Sequence, residues 1–285
     1  MTALALPAAL VLGAVASLVG AGVRRLPLPR RQPMRRADPW GSVRRLLRGK
    51  KNRATLLEAG GALACFLTAG LAGAAVFGSA PASGALVYLS LLGAAAGAHI
   101  AASDPTTDLR AERVGRARVA WALAEPAFVV ALGAALLRWR AGDLDAVRGA
   151  QDVLGPGLVV GPPIAAVGLG LATLAFVVAG AVRLVPRSEA VRAGGRRPGS
   201  ALLIGLCRWA VAGATAMVAA VLVAGGDMAT LGPESVLPLA AAAVGAAVIL
   251  GTADGLLASF PRGRAVVGMA AFVVAAAAAV LVVVG

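Results

Sequence analysis

Continuous apolar runs of about twenty residues, repeated along the chain, leave this sequence few ways to fold. A helix needs about 20 such residues to cross the hydrocarbon core of a bilayer. Eight stretches qualify, roughly 3–22, 55–78, 83–102, 117–137, 156–182, 201–224, 236–258 and 265–284. They are continuous rather than alternating, which predicts helices instead of barrel strands. The first begins at residue 3 with no basic segment before it, so it is expected to be a true span rather than a cleaved signal peptide. Composition agrees, because a soluble domain could not hide a chain that is 59% hydrophobic and only 14% charged. The expected fold is an all-α polytopic transmembrane bundle, a single integral membrane domain over 1–285 with a basic cytoplasmic loop at 23–54.

The charges orient the bundle. The first, third, fifth and seventh connections, counted with Arg118 at the very start of the fourth span, hold 23 of the 27 Lys and Arg residues, and residues 24–53 alone hold twelve. The remaining four are Arg138, Arg140 and Arg148, in one even connection, and Arg208, inside the sixth span. Basic residues stay on the cytoplasmic side, so both termini are expected outside. A positive-inside membrane protein accumulates a net charge of +14 without any nucleic-acid role, and no soluble domain is present to read a groove. Anionic lipid headgroups are the expected partners of the surplus charge, and nucleic acid is not.

Redox chemistry finds little to work with. Cys65 and Cys207 sit in separate spans without metal-ligand spacing and are expected to pack as small apolar residues. The single histidine, His99, stands near a span end, where packing or an interfacial role is expected. One His and two Cys hold neither an iron–sulfur cluster nor a bis-histidine haem. No Ser-His-Asp set, Walker loop or metal motif occurs, so neither a catalytic residue nor a metal site is expected in this chain.

Ionisable residues inside the spans are where function would show, because an unpaired charge in hydrocarbon costs several kcal/mol. Glu125 lies mid-span before Pro126, which has no amide hydrogen and leaves the Ala122 carbonyl without its helical partner. A carboxyl beside a loosened turn can bind a proton, a cation or a polar partner; the plainer alternative is a buried Glu held by an Arg or Ser of another helix. Arg208 either partners a buried carboxylate or snorkels past Trp209 to the surface. Asp254 is either an interfacial cap or a polar group facing the bundle interior. Glu58, close to Lys51 and Arg53, is expected in a surface ion pair. The outward connection 138–155 balances its signs and is expected to be a solvated cap, with Trp139 as an interface anchor. Gly161-Pro162-Pro163 predicts a bend near the outer end of span five.

The first loop carries Pro39-Trp40-Gly-Ser-Val-Arg44-Arg45-Leu46-Leu47-Arg48-Gly-Lys50, a short amphipathic element with basic flanks at the membrane surface. It resembles the segment Gln-Pro-x-x-Asp-x-x-Lys-Leu-Leu-x-Lys of a membrane subunit that two kinds of complex share. One is respiratory complex I, the NADH-quinone oxidoreductase, where it is subunit 1. The other is the energy-converting nickel–iron hydrogenases, the formate hydrogenlyase type included. Pro39, Arg45, Leu46 and Leu47 match, while Asp38 stands for Gln and Ser42 for Asp. Arg118 to Pro126 resembles the family's Arg-x-x-x-x-x-x-Glu-Pro, the Gly-Asp-Leu at 142–144 fits the hydrogenase branch, and Asp254-Gly-Leu-Leu-Ala258 stands where the family has Glu-Ser-x-x-Ala. The similarity runs from the first loop to span seven.

The resemblance implies eight spans with both ends outside. It also implies a multi-pass place in the inner (cytoplasmic) membrane and a first loop that docks the peripheral redox arm through Pro39, Trp40, Arg44, Arg45, Leu46, Leu47 and Arg48. Peripheral redox subunits and antiporter-like membrane subunits are the implied partners. Iron–sulfur clusters and a nickel–iron centre would lie in those partners, with no cofactor in this chain. Glu125, Asp254 and Arg208 are then candidates for coupling the complex to proton or sodium movement. One stretch departs. Where the family has Glu-x-x-Arg-x-Pro-Phe-Asp, this chain has Ala181-Val-Arg-Leu-Val-Pro186-Arg187-Ser188, so both acids are lost, to Ala181 and Ser188, and Arg187 is basic where a quinone head or protons would enter. Quinone reduction is therefore not expected here. The resulting expectation is a non-catalytic anchoring subunit of an oxidoreductase complex; a stand-alone transporter or small-solute carrier, or a purely structural scaffold, are the alternatives.

Overall fold

Hydrocarbon offers the backbone no water to bond, so each apolar run closes its hydrogen bonds within itself as a helix. The computed structural model describes residues 2–24, 56–103, 108–154, 161–186, 198–224, 233–260 and 263–285. Among these residues there are nine helices: α1 (Thr2–Val23), α2 (Leu56–Val76), α3 (Gly84–Ala101), α4 (Asp108–Arg138), α5 (Leu144–Leu154), α6 (Pro163–Arg183), α7 (Pro198–Ala224), α8 (Pro233–Ser259) and α9 (Gly263–Val284). All but α5 are long and apolar enough to cross a membrane, which gives eight candidate spans. The chain is an all-α, multi-pass helix bundle. The docking segment from Pro39 to Arg48 lies outside the described residues.

Two expectations about residues 138–163 need correction. The fifth span does not bend at Gly161-Pro162-Pro163; it begins there. Gly161 has φ +89°, a left-handed value suited to glycine, and Pro163 is the first helical residue, where a missing N–H costs nothing. The connection 138–155 is not simply a solvated cap, because it folds into the amphipathic α5. Leu144, Val147, Arg148 and Gln151 of α5 are buried, while Val153 at its end is 83% exposed. Arg148 pairs with Asp145 at 2.5 Å and donates to the Ala75 carbonyl in the last turn of α2. Gln151 Nε2 donates to the Leu222 carbonyl near the end of α7 at 3.1 Å. Helix ends leave carbonyls unpaired, and α5 supplies donors to two of them. A short bridge fixes it to the preceding turn: Gly84 N–H to the Gly142 carbonyl and Leu144 N–H to the Ala82 carbonyl, both at 2.9 Å.

Helix α7 is the centre, with 83% of its apolar window buried and α1, α2, α3, α5, α6 and α8 packed around it. Helix α9 closes the other side against α4 and α6. Lipid tails are as apolar as leucine, so helices associate through close van der Waals contact, which small residues permit. At Gly213 of α7, an added Cβ would collide with the Ala9 carbonyl of α1; at Gly13 of α1 it would collide with the Trp209 carbonyl of α7. The outward faces carry large apolar side chains one heptad apart, Leu4, Val11 and Leu18 on α1 and Val266, Val273 and Val280 on α9, where a bilayer would meet them.

The contrast between close and open glycines gives a test. Gly213→Ala is expected to destabilise the bundle by about 1–3 kcal/mol through overpacking. Gly245→Ala, where an added Cβ meets nothing within 4 Å, should change little. Thermal unfolding of both variants in detergent, followed by circular dichroism, measures the difference.

Candidate functional site: two buried ion clusters

Pro126 leaves α4 continuous through residue 138, and the preceding residue, Glu125, projects into a polar cluster built by three helices. Arg183, the last residue of α6, places Nε 2.9 Å from Glu125 Oε1. Trp121, one turn back on α4, donates its indole N–H to the same oxygen, and the Tyr88 hydroxyl of α3 donates to Oε2 at 3.1 Å. The Arg183 guanidinium also lies over the Phe128 ring, 3.9 Å from Cζ to the centroid. Arg183 is 2% exposed, so its charge has Glu125 and an aromatic face in place of water. Of the two alternatives open for Glu125, the structure supplies the arginine of a neighbouring helix.

The second cluster surrounds Asp254, which is 1% exposed and therefore faces the interior instead of capping a helix at the interface. Arg208 Nη2 is 2.5 Å from Asp254 Oδ2, and Arg264 Nη2 is 3.4 Å from Oδ1. Arg208 partners a buried carboxylate; it does not snorkel outward. Two guanidiniums face one carboxylate here, and the surplus is met by the end of α6. Arg208 Nη1 donates to the Val185 carbonyl, and Arg264 Nη1 donates to that of Leu184 at 2.9 Å. Cations at a helix C-terminus also complement its dipole. A small cavity beside Asp254, lined by Gly13, Ser17, Trp209 and Gly251 among others, has room for about one water. Arg24, just past α1, lies within the field of this cluster. Burial holds its pKa below the ordinary arginine value, Asp254 pulls it back up, and Arg208 pushes it down.

His99 stands beside the Glu125 cluster. Its Nε2 is 3.0 Å from the Arg183 carbonyl, an acceptor only, so Nε2 carries the proton. Its ring stacks on Trp121 with centroids 5.1 Å apart and planes 5° apart. Cys65 and Cys207 are fully buried, with Cys65 Sγ donating to the Cys207 carbonyl at 3.5 Å, in keeping with packing. Glu58 departs from its expectation in its place: at 2% exposed it is buried in the first turn of α2 and does not lie at the surface. Among the described residues, no group of three or more His, Cys, Asp or Glu side chains converges as a metal site.

Sequence reasoning brought forward Glu125, Asp254 and Arg208, and the structure divides them between two clusters. It missed Arg183, Arg264, Trp121 and Tyr88 as partners. Arg183 and Arg264 stand at span ends, where a cation is ordinarily assigned to the headgroups, and that habit concealed them. The signal available was that each carboxylate within a span required a cation within reach.

Removing one partner of a buried pair leaves the other uncompensated, which costs about 3–5 kcal/mol. Glu125 keeps 18% of its side chain exposed, so Arg183→Ala is expected to show a loss below that range in thermal unfolding. The paired replacement of Arg183 by Met and Glu125 by Gln should recover most of it.

No protein-family model matches the chain, and no curated protein matches it in sequence. A solved structure does match in fold. It is a chain in the structure of the membrane-bound sulfane sulfur reductase, an archaeal respiratory membrane complex. The TM-score is 0.63 at 16% identity, over 98% of this chain and 99% of that one. The resemblance reaches along nearly the whole of both chains, and at that identity it is a resemblance of fold.

Proposed function

We propose that this protein is a non-catalytic membrane subunit of a multisubunit oxidoreductase complex, of the kind shared by complex I and energy-converting hydrogenases. The observation that carries the reading is the near full-length fold likeness to a chain of a respiratory membrane complex. The order of motifs along the sequence, from Pro39 through Glu125 to Asp254, supports it independently. In this reading the chain lies in the cytoplasmic membrane, with its basic loops inside. Pro39, Trp40, Arg44, Arg45, Leu46, Leu47 and Arg48 dock the peripheral redox arm, whose subunits hold the iron–sulfur clusters and, in a hydrogenase-type assembly, the nickel–iron centre. Antiporter-like membrane subunits pack alongside.

The same reading gives the two ion clusters a task. Glu125 can exchange its interaction with Arg183 for a proton, because Tyr88 and Trp121 hold the carboxyl in place in either state. Asp254, with Arg208 and Arg264 on its two oxygens, is the second polar station. Together they form a polar axis that couples redox work in the partners to proton or sodium movement.

Purification in mild detergent is expected to bring along subunits that contain iron–sulfur clusters; a clean monomer or homo-oligomer that transports a solute would overturn the reading. Within an assembled complex, Glu125→Gln is expected to impair ion coupling in reconstituted vesicles while leaving assembly intact. Replacing Arg44, Arg45 and Arg48 together by Glu should release the peripheral arm from membranes, as read by fractionation.

A further inference from the structure

The two carboxylates belong to separate clusters, yet both clusters hold on to the same piece of backbone. Pro186 disfavours helix at the residue before it, and α6 ends at Arg183 with Leu184 already extended. The carbonyls freed by that ending are taken up from three directions. His99 of α3 takes the carbonyl of Arg183, Arg264 of α9 takes that of Leu184, and Arg208 of α7 takes that of Val185. The Arg183 side chain, at the head of this stretch, is the ion partner of Glu125. The two guanidiniums on the next two carbonyls are the ion partners of Asp254. Three consecutive residues therefore connect one carboxylate to the other, through covalent backbone and direct bonds at each end.

Burial makes this connection stiff. Arg183, Leu184, Val185, Arg208, Arg264 and Asp254 are each at most 5% exposed. Bulk water does not reach these positions, and the cavity beside Asp254 has room for about one molecule, so a change at one bond falls mainly on the protein groups next to it. Close-packed interiors pass such shifts on because they have few voids to absorb them.

The geometry points to the end of α6 as a link that makes the states of Glu125 and Asp254 depend on each other, with Arg183 as the positioning residue. When Glu125 loses its charge, Arg183 loses its partner, the carbonyls of 183–185 turn, and Arg208 and Arg264 reset on Asp254. This rests on the proposed function only for what changes the charge on Glu125; the link itself is a property of the fold.

Each cluster contains its own reporter, since Trp121 bonds Glu125 and Trp209 lines the cavity beside Asp254. The full-length chain, labelled with 5-fluorotryptophan and placed in lipid nanodiscs, should give fluorine NMR signals from its four tryptophans, assigned by Trp→Phe replacement. Glu125→Gln is expected to shift the Trp209 resonance, and Asp254→Asn that of Trp121, because coupling between sites is reciprocal. In an Arg183→Met background, the Trp209 resonance should be the same with Glu or Gln at position 125. The link is overturned if each substitution moves only the tryptophan of its own cluster, and the role of Arg183 is overturned if Arg183→Met leaves the distant response intact. Should Asp254→Asn fail to fold, the Glu125→Gln comparison with and without Arg183 decides alone. None of these signals requires ion movement. A distant shift combined with normal ion coupling in Glu125→Gln would remove the coupling role proposed for Glu125 and keep the link, and the opposite pair of results would do the reverse.

Discussion

A guanidinium buried in a bundle without water must find its counter-charge and its hydrogen-bond acceptors among the neighbouring helices. Arg183, Arg208 and Arg264 do this at one place, the end of α6, and much of the interior is arranged around them. Their partners come from α4 and α8 as well as from the backbone at the end of α6. Because removing one member strands another, the cluster specifies how these helices sit relative to one another more than it adds to net stability.

The opposite end of the bundle applies the same physics with weaker groups. Arg148 and Gln151 of α5 donate to carbonyls near the ends of α2 and α7, and the 82–84 turn bonds to 142–144. Between the two polar layers the bundle is held by close approach of small residues, as where α1 lies against α7 at Gly13 and Gly213. Polar ends and a tightly packed apolar middle are the arrangement a bilayer imposes, since only the ends can call on charge and headgroup together.

The departure from the complex I-like pattern after the fifth span takes on a different meaning in three dimensions. Ala181 stands where that family has an acid, and it is fully buried. Two residues later Arg183 turns inward to Glu125. The basic character of the stretch is thus, at Arg183, half of an internal ion pair.

The sequence by itself determined the spans, because twenty apolar residues in a row satisfy the bilayer whatever surrounds them, and α1, α2, α3 and α6 to α9 fall close to where hydropathy puts them. It also determined which residues would be costly to bury: Glu125, Arg208 and Asp254 announce themselves by being charged within hydrocarbon. Helix α5 escaped notice because eleven residues are too few to register as a span, although its buried residues Leu144, Val147, Arg148 and Gln151 follow helical spacing. Glu58 was misjudged because nearby basic residues suggested a surface pair, whereas helix packing buries it. Only the tertiary structure decided the pairings. Whether Arg183 meets Glu125, and whether Arg208 and Arg264 share Asp254, depends on the rotation and neighbour of each helix, and those are set by contacts between residues far apart in the chain that no local pattern encodes.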